Sequence, residues 1–253
     1  MREIARLKDF VENIEELMDM WGKNTSTTYP WFRGQADESW KLLPRLYREG
    51  EVADREREMV RDFALRANAF LPTEPQSYME RLFVMQHHGM PTRLLDWSES
   101  YLIALFFSVE DTRNTNNGAV WVMGPANFNK KLGLHEHTVP MSDASVFSEY
   151  EIDISARRGD SSVEAEEPIA VRPRRSTPRI VAQRGMFTIH GNQPKSLEKY
   201  CDMYKSQKIL HKIIIAGSAK EKLKRELLLS GVSYSSLFPD LDGLAEEISY
   251  RYS

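Results

Sequence analysis

The sequence predicts an α+β fold, a small mixed or antiparallel sheet flanked by helices, and three observations carry that expectation. Long segments repeat apolar residues at helical spacing, short apolar runs lie between glycines, and those runs are too few and too irregular for a doubly wound sheet. At 253 residues, 41% of them apolar, the chain can bury one good-sized core, so a single domain over 1–253 is the simplest expectation.

Residues 1–24 form an N-terminal helical segment, with Phe10, Val11, Ile14, Leu17, Met18 and Trp21 on one face and Gly22 as its stop. "WFRGQ", residues 31–35, reads as the first strand. "REREMVRDFALRANAF" repeats the helical pattern through Met59, Val60, Phe63, Ala67 and Phe70, and "SYMERLFVMQHHGMP" is a third helix closed by Gly89 with Pro91 just beyond. "TRLLDW" runs extended, and Ser98 caps a helix whose inner face is Leu102, Leu105, Phe106 and Val109. "GAVWVMG" (118–124) and "HKIIIAG" (211–217) are buried strands bounded by glycine. Ser218 and Glu221 then fit a capping box opening a helix that ends near Gly231. Between these, residues 155–179 are dense in charge, proline and small polar residues, and are expected to form a flexible polar loop.

Composition excludes several function classes. A formal charge of −3 gives no global field toward nucleic acid or membrane, and the lone Cys201 excludes an internal disulfide framework. "MREIARLKDF" is too often interrupted by charge for a signal peptide, and no run approaches the roughly 18 apolar residues of a membrane helix. A cytoplasmic protein without membrane partners is expected. No metal is expected either: His87 and His88 are adjacent and cannot face one ion from a helix, and His135 and His137 make an H-x-H pair without an evident third ligand. Neither a P-loop nor a G-x-G-x-x-G fingerprint is present.

The densest constellation is "QHHGMPTRLLDW", which places Gln86, His87, His88, Thr92, Arg93 and Asp96 on tight connections between rigid elements. A second stands in β-like "WFRGQ", where an arginine replaces the apolar residue a strand would ordinarily pack. A guanidinium offers phosphate a rigid fork of donors, and a glycine beside it lets a ligand approach the backbone.

"WFRGQ" followed by "LLPRLYR", then "QHHGMPTRLLDW" with "ALFFS", "QRGMF" at 183–187 and "LFPDLDGLAEEI" near the C-terminus together resemble the FRG domain family, in the same order over most of residues 25–250. That resemblance implies one FRG domain across the chain and, by association, a role in bacterial stress or phage defence. The aromatic-Arg-Gly strand is also similar, more remotely, to the opening strand of ADP-ribosyltransferases. This second likeness implies a split, NAD-binding sheet and an enzyme that cleaves the nicotinamide N-glycosidic bond, passing ADP-ribose to a macromolecular acceptor or, as a glycohydrolase, to water. On it, Arg33, His88 and Gln183 would be catalytic. Arg33, Gly34, Gln35, Gln86, His87, Thr92, Arg93 and Asp96 would bind the nucleotide, with Arg93 as a second phosphate clamp oriented by Asp96. Two departures stand out: Gln183 brings no negative charge where such transferases use glutamate, and the Ser-Thr-Ser element of some branches is missing.

Each residue also has a plainer reading. Arg33 pairs with Asp96, one of the two histidines serves helix-end carbonyls, and Gln183 belongs to a turn. The alternative function is a non-catalytic nucleotide or nucleic-acid binding module, suggested by Arg172, Arg174, Arg175, Arg179 and Arg184; its plain counterpart is a solvated loop with Asp160, Glu164, Glu166 and Glu167 as local partners. A phosphodiesterase using His88 comes third, for want of a carboxylate cluster.

Overall fold

The structure, a computed structural model, describes residues 3–21, 29–48, 50, 55–71, 73–132, 139–140, 147–155, 163–175, 177–204 and 209–252. In chain order its principal elements are α1 (Leu7–Trp21), β1 (Trp31–Gln35), α2 (Arg45–Arg48), α3 (Glu56–Arg66), α4 (Tyr78–His87), β2 (Leu94–Ser98), α5 (Tyr101–Val109) and β3 (Gly118–Met123). There follow α6 (Pro125–Lys131), β4 (Val139–Pro140), β5 (Ile169–Arg172), α7 (Pro178–Ala182), β6 (Gly185–Ile189), α8 (Leu197–Met203) and β7 (Leu210–Ile215). The chain closes with α9 (Lys220–Leu229), α10 (Tyr234–Leu237) and α11 (Leu241–Tyr252). The fold is α+β, as expected.

The seven strands form one mixed sheet in the order β4-β5-β6-β2-β1-β3-β7, antiparallel throughout except for the parallel pair β4 and β5. The split sheet implied by the transferase likeness takes a different form here, that of a seam inside a single sheet. β1 pairs with β3 from Trp31 to Gln35 but with β2 only at Phe32↔Ser98. Beyond that pair the two central strands diverge.

The helices follow the seam. On one face α1, α5 and α9 cover the β1–β3–β7 half, burying Phe10, Leu105, Phe106 and Leu223 against Phe32, Val120 and Ile213. On the same face α3 and α4 cover the β2–β5–β6 half, where Val60, Met79 and Leu82 meet Leu94, Val171 and Phe187. The opposite face is bridged by one continuous cluster including Trp31, Leu95, Trp97 and Trp121, so the sheet is joined behind and open in front. Helix α5 lies so close to β1 that a Cβ at Gly34 would stand 1.9 Å from the Ala104 carbonyl oxygen.

Two local expectations are corrected. The segment 155–179 is not a polar loop where it is described: β5 lies within it, and Val163, Ala165, Ile169, Ala170 and Val171 are buried. Pro168 and Pro173 bracket a run too short to show a period, and Asn129 of α6 supplies the missing strand partner, donating to the Ala170 carbonyl (3.0 Å) and accepting from its N–H (2.8 Å). Residues 156–162 and 176 lie outside the described residues. The Ser218–Glu221 capping box does not form either. A 3-10 turn at Gly217–Ala219 leads into α9, because Lys220 is drawn inward to donate to the carbonyls of Ala36 (2.7 Å) and Asn114 (2.8 Å).

Candidate functional site

The open seam is floored by a cleft of about 450 Å³ between α4 and α5, within the range of small-molecule sites. Arg33 stands in it. Its Nη1 donates to the Asp96 carbonyl at 2.7 Å, in the stretch where β1 gives β2 no backbone pairing, and lies 3.7 Å from Asp96 Oδ2. An arginine in the first strand is thus explained in part by topology: it bridges two strands that part company. The side chain is 17% exposed, and its Nε–H is buried with no acceptor among the described residues. Burial lowers its pKa, Asp96 works against the shift, and Arg48, another lining residue, adds to it.

Behind Arg33 stands a chain of oriented polar groups. Gln86 Nε2 donates to Asp96 Oδ2 (2.9 Å), Gln86 Oε1 accepts from Thr92 Oγ1 (2.5 Å), and Thr92 Oγ1 accepts from the Leu94 N–H (3.2 Å). Thr92 is fully buried and does not line the cleft; it holds Gln86 in place. Gln35 does line it, yet its Oε1 accepts from Trp121 Nε1 (2.8 Å) and its amide donates to the Lys41 carbonyl (3.4 Å), which makes it a support of the wall. Gly34 lines the cleft as well, but the close approach it permits is that of α5.

Arg93 departs from its expected role. Its Nε donates to Glu56 Oε1 at 2.8 Å, its Nη2 contacts Glu56 Oε2, and both side chains are 4% exposed. It therefore faces the interior beside His190 and Tyr78 and cannot clamp a phosphate in this cleft. Asp96, instead of orienting Arg93, serves Arg33. His88 is exposed at the end of α4 and does not line the cleft, whereas its neighbour His87 does. Consecutive helical positions point about 100° apart, so only one of the pair can face the seam. Burial depresses the His87 pKa, and Arg179 and His88 depress it further, so the ring is neutral at ordinary pH. His135 and His137 lie outside the described residues, and among the described residues no three His, Cys, Asp or Glu side chains are grouped to hold a metal.

Gln183 joins Arg33 in the same cleft although 150 residues separate them. It ends the short helix α7, whose Thr177 cap and Pro178 start it and whose exit is forced by Arg184 at φ 46°. Its Nε2 donates to the Leu237 carbonyl (3.2 Å), and its backbone carbonyl accepts from Ser98 Oγ (2.8 Å). Of the arginines grouped for polyanion binding, only Arg179 reaches the cleft, donating to the His87 carbonyl at 3.4 Å with its guanidinium 4.6 Å from the Phe238 ring centroid. Arg172 and Arg175 lie 3.9 and 3.0 Å from Glu99, and Arg174 lies 3.6 Å from Glu80. Three of the cations are thus already matched by carboxylates distant in sequence, and Asp160, one of the expected local partners, lies outside the described residues.

Residues 29–117 match the family model for the FRG domain. That segment is similar to the FRG domain. No curated protein and no solved structure matches the chain. The FRG segment supplies the central seam and both walls of the cleft, including Arg33, Gln86, Asp96 and α5; Arg179 and Gln183 close it from outside that segment.

Within the FRG segment the structure adds a lining residue that the sequence analysis passed over. Glu110 follows the last turn of α5, Tyr234 donates to its Oε1 (3.1 Å), and Lys224 donates to its backbone carbonyl (3.0 Å). Burial raises its pKa, against the opposing effects of the Tyr234 hydrogen bond, Lys224 and Arg179. A signal was available. A carboxylate at the C-terminal end of an apolar helix opposes the helix dipole, a placement that asks for a compensating role. No described helix is long and apolar enough to cross a membrane.

Proposed function

We propose that the cleft binds NAD or a closely similar nucleotide and cleaves its nicotinamide N-glycosidic bond. The observation that carries this reading is the presence, in one cleft, of a fixed arginine with an unused buried donor and a carboxylate with a raised pKa. Arg33, with Arg48 lining the same cleft, suits a phosphate oxygen, since a guanidinium presents a rigid fork of donors to phosphate. Glu110 supports the other half of the chemistry and offers the negative charge that Gln183 lacks. Its ionised form is poorly hydrated, so a positive charge developing on a ribose stabilises it strongly. In the reaction the C1′–N bond breaks with its electron pair leaving on nicotinamide. Water or a macromolecular nucleophile then adds at C1′ and gives up its proton. Gln183, anchored to Leu237 through its nitrogen, keeps its side-chain oxygen for a ribose hydroxyl.

Purified protein incubated with NAD is expected to release nicotinamide, followed by chromatography, and Arg33→Ala and Glu110→Gln are each expected to reduce the rate about a hundredfold while remaining folded by calorimetry. Absence of both nicotinamide release and a thermal shift with NAD would sink the proposal. The pH profile provides an independent check. Because Glu110 must be ionised and its pKa lies above the ordinary carboxylate value, kcat/KM is expected to rise with pH through that raised pKa and to fall below it. Glu110→Gln should remove this acidic limb; a profile unchanged by the substitution would assign the titration elsewhere.

A second reading, a nucleotide-binding module without turnover, is favoured by the Gln183 amide being tied to Leu237 and by the pairing of Arg33 with Asp96. It predicts a thermal shift with NAD and no nicotinamide. The nucleic-acid version is disfavoured by the carboxylate partners of Arg172, Arg174 and Arg175.

A further inference from the structure

The cleft is rich in aromatic residues, but most have no face to offer. Phe32, Phe83, Trp97 and Phe187 are 3%, 6%, 3% and 5% exposed and belong to the cores beneath the cleft. Trp40 differs. It is 47% exposed, sits on the connection after β1 and lines the same cleft as Arg33 and Arg48. A half-exposed indole in the cleft that two guanidiniums also line suits a ligand that is flat at one end and anionic at the other. Arg33 lies in β1 and Arg48 ends α2, so the cations flank the Trp40 connection in sequence as well as sharing its cleft.

We infer that Trp40 is the platform on which the heteroaromatic ring of a nucleotide stacks while Arg33 and Arg48 hold its phosphate. This rests on the nucleotide-cleft reading above and narrows its ligand class: base and phosphate must both be present, and a sugar phosphate alone is a poor ligand. Stacking does not depend on ring substituents, so Trp40 selects for a base without choosing which one.

Isothermal titration with AMP, ribose 5-phosphate and adenosine tests the inference on wild-type protein, Trp40→Ala and Trp40→Phe, each checked for folding by calorimetry. AMP is expected to bind wild type more tightly than either fragment. Trp40→Ala should weaken AMP on the order of tenfold or more while leaving ribose 5-phosphate unchanged, and Trp40→Phe should fall between. Tryptophan emission quenched by AMP in wild type should lose its quenching in Trp40→Phe. The inference is overturned if AMP does not bind at millimolar concentration, or if Trp40→Ala changes AMP and ribose 5-phosphate equally or changes neither. Nicotinamide release from NAD with KM unaltered by Trp40→Ala would overturn the stacking role and leave the reaction standing. Trp40-dependent AMP binding without nicotinamide release would do the reverse.

Discussion

Arg93→Met is expected to destabilise the protein by about 3–5 kcal/mol, because it leaves the Glu56 carboxylate buried without its cation. Both groups are 4% exposed, so solvent cannot take the place of the missing partner. For a chain of this size that loss lowers Tm by roughly 10 °C, readable by calorimetry. The double variant Arg93→Met/Glu56→Met should recover much of it, since replacing both charges by apolar groups of similar volume is commonly neutral. The comparison with Arg33 separates the roles of these two arginines of the FRG segment. Arg33 pairs with a carboxylate that is 54% exposed, so Arg33→Ala should cost far less stability and appear in ligand binding instead. If Arg93→Met left Tm unchanged but weakened nucleotide binding, the interior assignment of Arg93 would be wrong.

Gly34→Ala is the second large effect. The added Cβ would lie 1.9 Å from the Ala104 oxygen and 2.8 Å from the Ser108 nitrogen, both backbone atoms of α5, so no side chain can turn aside to relieve the clash. The helix would have to move as a body. The cost is expected at about 3 kcal/mol, the upper part of the overpacking range, as a shift in the urea midpoint. Since α5 carries Ile103, Ala104 and Phe107 into the cleft wall and leads directly to Glu110, nicotinamide release should fall in the fraction that stays folded. An unchanged midpoint would mean that β1 and α5 separate more easily than their packing implies.

Both predictions concern residues that stood in legible motifs and whose roles differ from those the motifs suggested. Arg93 and Asp96 are three apart in one strand-like run, which is enough to place them near each other but not to say which way each faces. Alternation along the strand turns them apart, Asp96 to the seam and Arg93 to the interior. Glycine after arginine was legible as a place of close approach. What approaches, a helix and not a ligand, was not legible, because the helix begins about seventy residues later. Glu110 stands in none of the motifs, and Arg48, the last residue of "LLPRLYR", has no local pattern that points it to the cleft; both enter it through the positions of helix ends.

The sequence by itself determined the α+β class, the amphipathic helices α1, α3 and α4, the glycine-bounded strands β3 and β7, and the two polar blocks around Arg33 and Asp96. These follow from periodicities of 3.6 and 2 and from turn residues, all of which act within a few positions of the chain. Only the tertiary structure decided that β1 and β2 meet at a single pair, that β5 is a buried strand, and that Arg33, Glu110, Arg179 and Gln183 share one cleft. Those outcomes depend on contacts between residues tens to more than a hundred positions apart. Nothing in a local pattern encodes which partners a long chain brings together.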